Sequence, residues 1–175
     1  MFALLLLASL SFRLQDTAGA WHDAAEWRGS KAVVLFFVSI DCPISNSYAP
    51  EMQRISTRYA RQGVVFYAVQ PDPSRALDDV KKYAADFGYP FPMLLDTEQK
   101  LTRATRATIM PQVVVLTPQG DVRYSGRIDD RYIAIGKSRL QATQLDLRDA
   151  LDAILAGKPA PRGKTQAVGC VIPRP

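Results

Sequence analysis

Residues 31–45 read Lys31-Ala-Val-Val-Leu-Phe-Phe-Val-Ser-Ile-Asp-Cys-Pro-Ile-Ser45. From Lys31 to Ser39 the run is apolar and partly β-branched, the pattern of a strand buried on both faces. It stops at Asp41-Cys42-Pro43. Beyond that point Ile44, Tyr48, Met52, Ile55 and Tyr59 recur at spacings of four, four, three and four, which is one face of a helix. Pro43 suits the first helical turn, where its missing N–H costs nothing. Pro50 lies inside the pattern and should bend the helix. The stretch therefore reads as a buried strand passing straight into a helix, with Cys42 at the join.

Working outward, Phe12-Arg13-Leu14-Gln15 alternates like a half-buried strand, and Asp16 to Gly19 reads as a turn. On the other side Gly63 ends the helix and Val64–Gln70 is the next strand. Pro71 to Ser74 form a loop. Ala76, Val80, Tyr83, Ala84 and Phe87 mark a second helix, stopped at Gly88. Phe91–Leu95 is a short strand, followed by a short helix from Thr97, as its cap, to about Arg106. Gln112–Leu116 and Val122–Gly126 flank the turn signal Pro118-Gln119-Gly120-Asp121 and should form an antiparallel hairpin. Leu145, Leu147, Leu151, Ile154 and Leu155 mark a last helix before Gly157 and Pro159. Early βαβ units followed by a hairpin imply an α/β fold: a mixed central sheet flanked by helices on both faces.

Composition narrows the function classes. A chain of 175 residues with 47% apolar and 22% charged residues fits one globular domain. Two cysteines are too few for a disulfide scaffold or a four-thiolate metal site. One histidine, His22, leaves little material for a metal or proton-relay site, and it reads as a surface-turn residue. No metal and no cofactor is expected. Four cations of the +5 net charge, Lys158, Arg162, Lys164 and Arg174, stand in an acid-free, proline-rich tail. No aromatics interleave with them, so nucleic acid is not an expected partner. Asp78, Asp79, Asp146, Asp149 and Asp152 read as solvated helix faces, and Trp21 and Trp27 as packing residues. No apolar run is long enough for an integral membrane segment. Residues 2–10, Phe-Ala-Leu-Leu-Leu-Leu-Ala-Ser-Leu, suit the apolar part of an export signal that lacks its basic start. The expectation is a signal remnant over 1–11, a domain over 12–158 and a tail over 159–175. The location is periplasmic or exported, with a cytoplasmic location as the alternative.

The chemistry points to Cys42. A thiol at a helix N-terminus meets unpaired N–H groups and the positive end of the helix dipole, both of which favour thiolate. The carboxyl edge of an open sheet is where such folds hold their sites. Asp41 works the other way, since a close carboxylate raises a thiol pKa. The competing reading is a buried, inert cysteine.

Phe37-Val38-Ser39-Ile40-Asp41-Cys42-Pro43-Ile44-Ser45 resembles the active-site turn of the thioredoxin superfamily, and most closely its redoxin (AhpC/TSA-type, peroxiredoxin-like) branch. Pro50, eight residues after Cys42, and Met110-Pro111 before a strand stand where that family keeps its helix proline and its cis-proline loop. Gly126-Arg127-Ile128-Asp129-Asp130 and Thr165-x-x-x-Gly169-Cys170-x-Ile172 resemble bacterial redoxin-domain proteins. The resemblance implies a thioredoxin-like fold and a thiol-dependent oxidoreductase. Cys42 would attack a peroxide or a protein disulfide, and Cys170, on a tail expected to be mobile beside a freely rotating Gly169, would resolve the intermediate. An external thiol would then reduce the pair. Ser39, Ser45 and Arg127 would tune the sulfur, with Arg131 behind Arg127. Pro43, Met110 and Pro111 would face the substrate.

The departures are informative. Ser45 replaces the second cysteine of Cys-x-x-Cys. Ser39 stands for the threonine of the peroxiredoxin Pro-x-x-x-Thr-x-x-Cys pattern, but Leu35 replaces its proline. Arg127 could instead pair with Asp129 or Asp130. A Cys42–Cys170 bond could cycle, could staple a non-catalytic binding module, or could bridge a homodimer.

Overall fold

The structure, a computed structural model, describes residues 10–174. The apolar stretch of the expected leader, from residue 2 to residue 9, lies outside them. In chain order the elements are β1 (Arg13–Gln15), β2 (Trp21–Asp23), a 3-10 turn (Ala24–Trp27), β3 (Ala32–Phe37), α1 (Pro43–Ala60), β4 (Val64–Gln70) and α2 (Leu77–Phe87). There follow β5 (Met93–Leu95), α3 (Lys100–Thr105), β6 (Ile109–Met110), β7 (Gln112–Leu116), β8 (Val122–Gly126), β9 (Tyr132–Ala134), β10 (Lys137–Ser138), α4 (Asp146–Leu155) and β11 (Cys170–Val171).

The central sheet has the order β5-β4-β3-β7-β8. β3 lies in its middle, parallel to β4 and antiparallel to β7, and all six of its residues are buried. Its two-residue period divides the core. Val34, Phe36 and Val38 pack with Met52 and Ile55 of α1, Val80 of α2 and Leu151 of α4. Val33, Leu35 and Phe37 pack with Phe12, Leu14, Trp27 and Leu101. Helices thus cover both faces, but unevenly. The second face is completed by α3, the 3-10 turn, β1 and Ile172 from the tail. The parallel β3–α1–β4 unit sends the carboxyl end of β3 into α1, which is what places Cys42 at the sheet's edge.

Three local expectations need correction. The cap of α3 is not Thr97. The buried Asp96 accepts from the N–H groups of Leu101 (3.2 Å) and Thr102 (2.8 Å), because its two oxygens reach both orphan donors. Trp21 is not a packing residue; it is exposed, with the Arg13 guanidinium 4.7 Å from its ring centre. Trp27 is fully buried against Phe12.

His22 is not in a turn either. It is the middle residue of β2, with Nε2 3.0 Å from Asp16 and Nδ1 2.8 Å from Glu26. The Tyr67 hydroxyl donates to the same Glu26 oxygen at 2.8 Å. Burial alone would lower the His22 pKa, but hydrogen bonds and charge from Glu26 and Asp16 outweigh it and hold the pKa above its ordinary 6.5. A raised folded-state value means that the stabilisation is complete below about pH 6.5 and is lost as pH rises through the folded value. A His22→Gln variant should therefore lose more melting temperature against wild type at pH 6 than at pH 9. Thermal melts at the two pH values check this.

Candidate active site

Cys42 caps α1 with extended backbone (φ −94°, ψ 106°), Pro43 takes the first helical position, and the side chain is fully buried. Its Sγ is bonded to that of Cys170, with the two Cα atoms 6.0 Å apart. The partner thus comes from the same chain, 128 residues away. The Met110–Pro111 peptide is cis, and the Met110 carbonyl oxygen lies 3.1 Å from the Cys42 sulfur. With the sulfur in a disulfide there is no thiol proton to donate. In the reduced protein the same oxygen stands in reach of one.

In the oxidised protein the tail is docked on the body. β11 pairs antiparallel with β6, Cys170 opposite Met110 and Val171 opposite Ile109. The Ile172 N–H donates to the Thr108 carbonyl at 2.9 Å, and its side chain is buried. Gly169 serves close approach rather than freedom. A Cβ there would stand 2.1 Å from the Met110 carbonyl oxygen. Further back, Thr165 Oγ1 accepts from the Arg127 N–H (3.0 Å) and shares a hydrogen with the Tyr124 hydroxyl (2.6 Å). It does so against Gly126, whose φ of +155° and missing Cβ leave room for it. Thr165, Gly169, Cys170 and Ile172 thus each have a physical task in docking the tail.

Ser39 and Ser45 are buried at the foot of α1. The Ser39 N–H donates to Ser45 Oγ (3.3 Å) and the Asp41 N–H to Ser39 Oγ (3.3 Å), so both hydroxyls shape the turn that presents Cys42. Arg127 is engaged elsewhere. Its Nε donates to Asp146 (2.7 Å) and its Nη2 to Gln144 (2.7 Å). Asp146, expected on a solvated face, is buried because Arg127 and Arg162 (3.0 Å) both reach it. Asp129 accepts from the Tyr48 hydroxyl, and Asp130 accepts from the Thr143 and Gln144 backbone. Asp41, beside the sulfur in sequence, is held by Arg75 at 2.6 Å, which also binds Asp72. A guanidinium on that carboxylate offsets the charge that would oppose a thiolate. Neither Arg75 nor Gln99, whose amide reaches the tail, gave a signal in the sequence, since both act through contacts far apart in the chain.

A family model described as AhpC/TSA matches residues 8–125. The chain belongs to the AhpC/TSA family. Among curated relatives, the thiol-disulfide oxidoreductase ResA of Geobacillus kaustophilus is 29% identical over 112 residues, 64% of this chain and 63% of that protein. The match thus spans less than two thirds of that relative. A crystal structure of a hypothetical protein from Sinorhizobium meliloti superposes with a TM-score of 0.82 at 28% identity, covering 98% of this chain and 95% of that one. A putative thioredoxin from Neisseria meningitidis superposes at 0.59 with 22% identity, covering 67% of this chain and 77% of that one, and shares the fold. The architecture is thioredoxin-like, and the family is the one the redoxin motifs imply.

Proposed function

We propose that the protein is a thiol-disulfide oxidoreductase, an enzyme whose working pair is Cys42 and Cys170. The observation that carries this reading is the bond between a sulfur at the first turn of α1 and a sulfur held against the Met110–Pro111 loop. In the reduced protein the helix N-terminus favours the Cys42 thiolate. That thiolate attacks one sulfur of a client disulfide and expels the other as a thiolate, which takes up a proton. The Cys170 thiolate then attacks Cys42 Sγ, forming the intrachain disulfide and releasing the second client thiol. An external dithiol is oxidised as it reopens the pair. No metal or organic cofactor is called on, because sulfur carries both electrons.

A disulfide client is favoured over a peroxide by two features. Leu35 stands where the peroxide-enclosing loop would need proline, and Arg127 is committed to Asp146 and Gln144. The ResA relatives are named for the same reaction class. An intrachain disulfide suits an oxidising compartment, so we place the protein outside the cytoplasm, in keeping with residues 2–10. Among the described residues no helix is long and apolar enough to cross a membrane.

The test is reduction of a model protein disulfide by the enzyme with excess dithiol. Wild type should turn over, and Cys42→Ser should fall to the uncatalysed rate. Hydrogen peroxide consumption should be the same for the two proteins. A Cys42→Ser protein as active as wild type would overturn the reading.

A further inference from the structure

The tail does more than bring a sulfur to Cys42. Residues 170–173 are read by the body at four successive positions. Cys170 lies opposite Met110 and is bonded to Cys42. Val171 lies opposite Ile109 with its side chain in solvent, 73% exposed. Ile172 gives its N–H to Thr108 and sinks its side chain into the core that holds Leu101, Ala107 and Met110. The carbonyl of Pro173 accepts from Gln99 Nε2 at 2.5 Å.

Gln99 is built for that contact. It is buried, only 6% exposed, and its backbone is left-handed (φ 54°), a conformation unusual for a residue with a side chain. Its amide also donates to the Pro71 carbonyl at 3.1 Å. When the tail leaves, one donor of this buried amide loses its acceptor, and an apolar recess opens where Ile172 sat. A two-residue strand edge, an apolar recess and an aimed amide together form a seat for an extended peptide, the mode called strand addition.

We propose that this seat is the client-binding site and that the tail is its resident stand-in. The reduced enzyme then takes an extended client segment of the form glycine, cysteine, any residue, aliphatic residue, with its next carbonyl on Gln99; the glycine is required because a Cβ there would meet the Met110 carbonyl. This rests on the thiol-exchange function proposed above. The recess left by Ile172 is the specificity element, and Gln99 a positioning residue. The position after the cysteine faces solvent, so any side chain should be tolerated there. In the step itself the Cys42 thiolate bonds to the client cysteine's sulfur, and that cysteine's former disulfide partner departs as a thiolate carrying the electron pair.

The experiment uses full-length Cys170→Ser protein, which cannot close its own disulfide. The probe is the acetylated peptide Gly-Cys-Val-Ile-Pro with its cysteine bonded to 5-thio-2-nitrobenzoate. Attack by Cys42 releases that coloured thiolate. This peptide should react about tenfold or more faster than one with aspartate in place of isoleucine, the ratio expected for burying an aliphatic side chain. Gln99→Ala should shrink the advantage of this peptide over one ending at isoleucine. Adding Ile172→Asp should speed the reaction, since the resident tail no longer competes. Equal rates for the isoleucine and aspartate peptides, or no gain from Ile172→Asp, would overturn the seat. The free bis-nitrobenzoate disulfide separates the two levels. Failure to react even with this small probe defeats the thiol-exchange function itself, whereas reaction without peptide discrimination defeats the seat alone.

Discussion

The Cys170→Ser protein should accumulate a mixed disulfide between Cys42 and its client, visible as a covalent adduct by mass spectrometry. Release of the client from that adduct should be slower than in wild type by about two to three orders of magnitude at micromolar external thiol. The reason is local concentration. In wild type the resolving sulfur is tethered to the same chain, on a tail whose seat in the oxidised protein lies directly against Cys42. A tethered group of this kind acts at an effective concentration of millimolar or more, which free thiol at micromolar levels does not match. The same substitution removes a bond that closes a loop across 128 residues. In the chain-entropy description such closure contributes up to about 5 kcal/mol. Thermal melts of oxidised wild type, Cys170→Ser and Cys42→Ser should show the same large loss for both variants. Only the first should form the adduct. Adduct formation by Cys42→Ser, or none by Cys170→Ser, would contradict the assigned order of attack.

Substituting Gly169 is the second large effect, and it arises without touching a sulfur. An alanine Cβ would lie 2.1 Å from the Met110 carbonyl oxygen and 2.7 Å from its carbon. Neither atom belongs to a flexible side-chain end; both are backbone beside Pro111. The tail must therefore lift from β6, which takes Cys170 out of register with Met110. Overpacking of this kind costs about 1–3 kcal/mol. Since the reduced form need not seat the tail, that cost falls mainly on the oxidised form. The reduction potential should rise by about 30–60 mV, because 30 mV corresponds to about 1.4 kcal/mol for this couple. Equilibration of Gly169→Ala in glutathione buffers, with alkylation to count free thiols, measures the shift. An unchanged potential would mean that the tail's seat contributes nothing to closing the bond.

Much of the framework is legible in the sequence because its signals are local. The apolar run of β3, the four-residue recurrence along α1, and the glycines after α1 and α2 fall within windows of a few residues. Local physics also puts Cys42 at a strand-to-helix join, and the resemblance supplies Met110-Pro111 and Cys170. The parts that escape are those whose cause lies far along the chain. Val171 is exposed and Cys170 half-buried, so nothing in the period of residues 165–173 marks a strand; it exists because β6 offers an edge. Asp146 looks like a solvent-facing helix start until Arg127 and Arg162 converge on it. Gln99 carries no local sign of function, since its partners, Pro71 and Pro173, come from two other segments. Gly169 was legible as a glycine but not as a close approach, because the atom it accommodates belongs to Met110.

The central claim is that the Cys42–Cys170 bond is opened and closed in use rather than kept as a staple. Its equilibrium reduction potential, measured on the full chain against defined glutathione or dithiothreitol ratios, tests this most directly. Exchange predicts a value within the span of thiol-disulfide enzymes, about −270 to −120 mV. A value below about −300 mV, where structural disulfides of exported proteins lie, would contradict it.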